Sequence, residues 1–389
     1  MLSHPVLSAD GHIDLPLLPP DLFSARVPRA LLARMPRVEE REGAHFWVDA
    51  AGQPIARVGG SGHLGQPFVK GESRRLDRMN ESGFWDDAAR GICHATDPDL
   101  RVAAQDRDGI CGEVLYGILG LSDKFGDAEV CRAALAAYNE FLAAFVRRHP
   151  QRFAGIACLP AGDPEQALRE LRRSAELGLR GAELALTHGL LPLWREEFEG
   201  LWQAAAETRL PLHLHTIGPP IDLRFAKSRR DVDSWMGTWL TTFQLGMVER
   251  LAELIFGGVL HRHPDLRIVL GESGIGWLPY VLDRMDLEWE ERLRHLELSL
   301  PPSGYFRRQV YATFQLDEAG LLLADRIGLD NLMWGNDFPH GDGVWPDSLA
   351  HIERQFERVP EAWRRAITFE NTARLYGFPR RADAPAPPH

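Results

Sequence analysis

Asn336 and Asp337 follow a short apolar run, Met333-Trp334-Gly335, and are themselves followed by Phe338-Pro339-His340. The run reads as a strand that stops at glycine and then presents a carboxylate, a proline and a histidine. In a parallel α/β barrel, the C-terminal tip of a late strand is where chemistry is placed. A carboxylate there can ligate a metal ion or act as a general base. His340, three residues on, can support it with a hydrogen bond.

Other tips offer partners. The segment Asp10-Gly11-His12-Ile13-Asp14 spaces three polar groups at i, i+2 and i+4. Alternate residues of an extended chain share a face, so Asp10, His12 and Asp14 can point together. The plainer alternative has Asp10 capping a turn and Asp14 solvated. His213 and His215 share a face by the same rule. His215, nearer the tip, is the better ligand, and His213 is a supporting, substrate-facing or core residue. Glu183 lies inside an apolar strand, where an unpaired carboxylate is costly. A metal ion would satisfy it, and so would Arg180. Glu272 follows another strand at once, as ligand, general base or substrate-orienting group, or else paired with Arg284. Tyr116 and Trp277 are candidates for substrate contact. His nitrogen and carboxylate oxygen together suit Zn²⁺, Mn²⁺ or Fe²⁺, as one ion or two.

Eight apolar runs can supply these tips. They begin at Val6, Gly112, Phe153, Gly181, Leu210, Arg267, Gln309 and Leu332. Helical patterns separate them, most clearly after Asp163-Pro164-Glu165, an N-cap with proline in the first turn. Strands alternating with helices imply a parallel sheet, and eight of them a closed (β/α)₈ TIM barrel. Two stretches break the rhythm. Residues 17–97 are rich in Gly, Pro and Arg, and read as an insertion after strand 1, with a hairpin at His45–Ile55, packed over the barrel mouth. Residues 219–258 read as a long helical insertion after strand 5. Its Trp235, Trp239 and Phe243, with Trp277 and Trp345, either line a pocket for a flat molecule or form core and dimer contacts. The organisation expected is one catalytic domain over 1–379 and a frayed, Pro/Ala-rich tail over 380–389.

The chain has 389 residues, 44% hydrophobic and 25% charged, with a formal net charge of −11. That length carries a sizeable core. The acidic balance argues against nucleic-acid or anionic-membrane surfaces. No window reaches the ~20 apolar residues of a membrane span. Cys93, Cys111, Cys131 and Cys158 form no C-x-x-C pair, so free thiols in a reducing, cytoplasmic compartment are expected. The first residues lack a basic region and a long apolar run, so no signal peptide is expected.

Taken in order, several motifs resemble the amidohydrolase superfamily, in the amidohydrolase-2 branch typified by aminocarboxymuconate semialdehyde decarboxylase. They are Asp10-Gly11-His12, Phe153-Ala154-Gly155, Pro211 to His215, Leu270-Gly271-Glu272-Ser273-Gly274, Trp334 to His340 and Phe369 to Gly377. The resemblance implies a metal-dependent barrel enzyme working as a homodimer. The branch's strand-one histidine pair falls on His12 and Asp14. Asp10 stands where some aromatic decarboxylases place a carboxylate. The strand-five ligand falls on His215 and the strand-eight aspartate on Asp337. The histidine that decarboxylases use after strand six falls on Glu272. Glu183 occupies the position that bridges two metals in dinuclear members. The implied function is a non-oxidative decarboxylase or hydrolase of a small, aromatic carboxylate. A dinuclear iron or manganese oxygenase and a non-catalytic partner subunit stand as alternatives.

Overall fold

The computed structural model describes residues 4–60, 65, 67–118, 120, 124–187, 190–216 and 224–379. The tail over 380–389 and the start of the second insertion, 219–223, lie outside the described residues.

Eight strands build the barrel. They are β1 (Val6–His12), β5 (Ile110–Tyr116), β6 (Phe153–Leu159), β7 (Gly181–Leu184), β8 (Leu212–His215), β9 (Ile268–Gly271), β10 (Val310–Phe314) and β11 (Leu332–Trp334). They pair in that order and all in parallel. Most strand residues are buried, because helices cover the outer face and side chains fill the inner one. Past the end of β11 the seam with β1 closes. Asp337 N donates to Asp10 O at 2.9 Å, and His12 N donates to Phe338 O at 2.7 Å. Gly335 permits this approach, since a Cβ there would lie 2.4 Å from Asp10 Cβ.

The barrel interior is layered. Leu7, Ala9, Val114, Ile156, Val269 and Met333 form the lower layer, closed underneath by Phe369, Ala373, Tyr376 and Phe378 of the C-terminal segment. His213 lies above this floor and polar groups occupy the tips. A bulge in β1 makes the change of character possible. Ser8 pairs with Glu113 and Gly11 with Leu115, so three steps on β1 oppose two on β5. The extra residue turns the alternation over. Leu7 and Ala9 join the apolar interior below it, and Asp10 and His12 face the interior above it.

Both interruptions hold structure of their own. Between β1 and β5 runs an antiparallel sheet of β2 (Arg37–Arg41), β3 (Ala44–Val48) and β4 (Pro54–Arg57). Two short helices, Arg74–Asn80 and Phe84–Ala89, follow it. Phe84 and Trp85 pack with Phe338 and Trp345, just past the tip of β11. Between β8 and β9 lie helices Arg229–Thr242 and Met247–Phe256. Trp235, Trp239 and Phe243 stack along the first of these and just beyond it, with Trp239 and Phe243 5.0 Å apart and nearly parallel. Trp345, in contrast, is a core contact whose indole N–H donates to Ala104 O. Cys158 is buried, and none of the four cysteines forms a disulfide. No described helix is long and apolar enough to cross a membrane.

Candidate active site

Three strand tips deliver four donor atoms to one place, and a fourth tip brings Glu272 beside them. His12 Nε2 lies 3.2 Å from Asp10 Oδ1 and 3.0 Å from Asp337 Oδ1. His215 Nε2 lies 3.4 Å from the same Asp10 oxygen, and its Nδ1 is turned to Thr216 O at 2.9 Å, which leaves Nε2 pointing inward. Glu272 Oε2 stands 4.0 Å from His215 Nε2. Asp10, His12, His215 and Asp337 are each no more than 1% exposed.

A second tier lies beside the first. His340 stacks on His12 with ring centroids 3.9 Å apart. Its Nε2 meets Asp14 Oδ2 at 2.5 Å and its Nδ1 meets Asp337 Oδ1 at 3.0 Å. His340 and Asp14 therefore brace Asp337 and His12 from the side. Asp14, past the end of β1, is not grouped with Asp10, His12 and His215: its Oδ1 stands 3.6 Å from His12 Nδ1, whereas Asp10 meets Nε2 on the other side of the ring. The backbone is strained at both tip carboxylates: φ is 57° at Asp337 and 49° at Glu272. Non-glycine residues held there cost on the order of 1–3 kcal/mol each, and such strain gathers at functional sites.

The remaining candidates divide. Glu183 is buried in β7, and among the described residues neither of its oxygens meets a hydrogen-bond donor. Arg180 does not pair with it. That guanidinium donates to Pro150 O and Tyr376 O, outside the barrel interior. Arg284 likewise leaves Glu272 alone and pairs with Glu288 along its own helix. His213 differs from the expected substrate contact. Both its nitrogens are engaged, Nδ1 by Tyr116 Oη at 2.7 Å and Nε2 by Tyr376 Oη at 3.4 Å. It forms a layer beneath the site because the two-residue alternation sets it one step deeper than His215. Tyr116 is fully buried, stacked on His12 and edge-on to His215. It walls the donor cluster with its ring and spends its hydroxyl on His213. Trp277 is half-buried, its indole N–H bonded to Ser273 O at 2.8 Å.

Three contributors escaped the sequence reading. Asp342, an exposed carboxylate, comes close enough to Glu272 and Asp337 to form a third acidic grouping. Thr313, at the tip of β10, donates to Asp10 Oδ2 at 3.0 Å. Arg101, wholly buried, forks onto Glu113 at 2.6 and 2.8 Å. The same guanidinium reaches His12 O at 2.8 Å and Phe338 O at 3.2 Å, across the seam. Gly11 admits the Glu113 carboxylate, which would collide with any Cβ at that position. A glycine between two candidate ligands was the available signal for such a close approach.

Charge in the cluster is unevenly held. Burial works to raise the Asp10 carboxyl, but His215 and His12 beside it hold it below the usual carboxylate range. Burial opposes a proton on His12, yet the Asp10, Asp14 and Asp337 carboxylates around it hold its ring well above the ordinary histidine value. Burial raises the Glu272 carboxyl, and the Asp337 charge raises it further. Burial also pushes Glu183 up to about 7 and His213 down to about 3. Within this cluster the nitrogens of His12 and the oxygens of Asp337 meet at ion-pair distance without hydrogen-bond alignment. Their donor atoms surround a shared volume instead of facing one another. Two neighbouring triplets, Asp10–His12–His215 and His12–Asp337–His340, have the spacing to hold a cation. Such a mixture of imidazole nitrogen and carboxylate oxygen suits a divalent transition ion.

The amidohydrolase family model matches residues 43–378. The chain belongs to the amidohydrolase family. The match begins after β1 and runs through every later strand of the barrel. This amidohydrolase is 29% identical over 306 residues to the gamma-resorcylate decarboxylase of Polaromonas sp., covering 72% of this chain and 88% of that one. Its fold is shared with an amidohydrolase of Mycobacterium avium subsp. paratuberculosis, with a TM-score of 0.71, 18% identity, and coverage of 97% and 100% of the two chains. It is shared also with a dihydroxybenzoic acid decarboxylase of Polaromonas sp., solved with manganese and 2-nitroresorcinol, with a TM-score of 0.62, 24% identity, and coverage of 78% and 93%.

Proposed function

We propose that this chain is a metal-dependent, non-oxidative decarboxylase of a small aromatic carboxylate. The observation that carries the reading is the convergence of Asp10 Oδ1, His12 Nε2, His215 Nε2 and Asp337 Oδ1 on one volume. Those four residues would hold one divalent ion, with manganese first in line because the Polaromonas decarboxylase binds it. When bound, the ion supplies a fixed positive charge that orients a substrate carboxylate or neighbouring hydroxyl.

The chain's own groups do the rest. Tyr116 closes the lower side of the site with an apolar ring. Asp14 and His340 hold Asp337 and His12 in register. Glu272, whose carboxyl burial and the Asp337 charge push above the usual carboxylate range, would deliver a proton from that carboxyl. In the reaction the bond between ring carbon and carboxylate breaks, CO₂ departs, and that proton takes its place on the carbon. In a hydrolase on the same frame, Asp337 would instead accept a proton from water.

The test is metal analysis of protein purified without added metal, followed by CO₂ release from gamma-resorcylate and related hydroxybenzoates. One ion per chain and CO₂ release are expected. Metal-loaded protein that releases no CO₂ from any of these acids would overturn the decarboxylase reading.

One observation favours a second reading, a two-cation oxygenase. Glu183 is a buried carboxylate whose two oxygens lack hydrogen-bond donors among the described residues. Two iron or manganese ions per chain with O₂ uptake would support it, and one ion without O₂ uptake would exclude it. The site residues fall within one catalytic domain over 1–379, working as a cytoplasmic homodimer. The reading of the tail and of the assembly rests on sequence and family resemblance.

A further inference from the structure

Asp10 has two oxygens, and they face different surroundings. Oδ1 lies with His12 Nε2 and His215 Nε2. Oδ2 is turned away and accepts from Thr313 Oγ1 at 3.0 Å and from Glu272 N at 3.1 Å. The same Glu272 N–H also reaches Thr313 Oγ1 at 2.7 Å. The threonine hydroxyl thus accepts one hydrogen bond and donates another, the full use of its single proton. Thr313 O receives Ser273 N at 3.1 Å, on the far side of Glu272. Thr313 is wholly buried, and its branched Cβ limits rotation of the hydroxyl. One side chain on β10 therefore ties the tips of β1 and β9 together. It does so where Glu272 is held at a left-handed φ.

We infer that Thr313 is a positioning residue for the metal centre: it anchors Asp10 Oδ2 so that Asp10 presents only Oδ1 to the cation. An unanchored carboxylate would rotate about its last bond and offer either oxygen or both. The anchored one presents one oxygen at a fixed place between His12 and His215. The bond from Glu272 N adds a second effect, since it sets where the Glu272 side chain begins. This inference rests on the four-residue metal site proposed above.

The experiment measures manganese dissociation constants for the full chain, by competition with a chelator, alongside the melting temperature of the metal-free protein. Thr313→Val keeps the shape and removes both hydrogen bonds. It is expected to weaken manganese binding by about 10–100-fold, the usual effect of losing a group that orients a ligand. Thr313→Ser keeps the hydroxyl and is expected to bind near the wild-type level. In an Asp10→Ala background, Thr313→Val should add little further loss, because its route to the metal is gone. Should the valine variant not fold, Thr313→Ala is measured in its place against the same outcomes. Wild-type affinity in Thr313→Val overturns the inference, as does equal loss in the serine variant. A loss of melting temperature alone, with affinity kept, assigns Thr313 a purely structural role and overturns it too. Failure of the wild-type chain to bind manganese or any other divalent ion would instead overturn the metal site itself.

Discussion

At the scale of single residues, the site depends on which atom each side chain turns inward. His215 offers Nε2 because Nδ1 is engaged by the Thr216 carbonyl. His213 offers nothing because both nitrogens are engaged. Replacing His12 or His215 by alanine removes a donor and should leave the purified protein with little bound metal, as read by elemental analysis. Full metal content in either variant would contradict the assignment. Glu272→Gln keeps size and hydrogen-bonding capacity but cannot supply the acid proton. Metal content should stay at the wild-type level while kcat falls by about 10²-fold, within the range for lost acid–base catalysis. An equal fall in metal content would make Glu272 a ligand instead.

At the scale of elements, the seam between β1 and β11 decides whether Asp10, His12 and Asp337 meet. Two backbone hydrogen bonds and the Arg101 fork cross or flank that seam. Gly335 is a point of close approach across it. Its substitution by alanine would place a Cβ 2.8 Å from Asp10 N, and backbone cannot swing aside as a flexible side chain can. Gly335→Ala should cost about 1–3 kcal/mol in urea denaturation, the range for overpacking. It should also weaken metal binding, because the displaced strand carries Asp337. Unchanged stability would show that the seam yields more easily than its contacts imply.

At the scale of the whole molecule, the C-terminal segment seals the barrel floor, and His4 links it to the start of β1. His4 Nε2 bonds Thr368 Oγ1 at 2.9 Å. Burial, aided by Arg364 and Arg365, lowers its ring from 6.5 to about 4. The unfolded chain therefore takes up this proton first as pH falls. The stability tied to neutral His4 is complete above about 6.5 and is lost between there and about 4. Melting temperature should fall more steeply over that window in the wild type than in His4→Gln. Parallel curves for the two proteins would remove His4 from the acid response.

The sequence by itself determined the barrel and its strand runs, and it made most of the candidate donors legible. Buried parallel strands leave continuous apolar runs, and a polar group at the end of such a run has few other reasons to be there. His12, His215 and Asp337 were legible for that reason. The tertiary structure alone decided which of the carboxylates meet. A one-residue bulge sets Asp10 and His12 facing inward above an apolar floor. A two-residue step sends His213 below the site and His215 into it. Arg180 and Arg284 find partners elsewhere, which no local pattern predicts. Thr313, Arg101 and Asp342 carry no motif, because their roles depend on distance across strands and not along them. Asp337, the residue most legible in the chain, takes its place in the cluster only because Gly335 lets its strand close against Asp10.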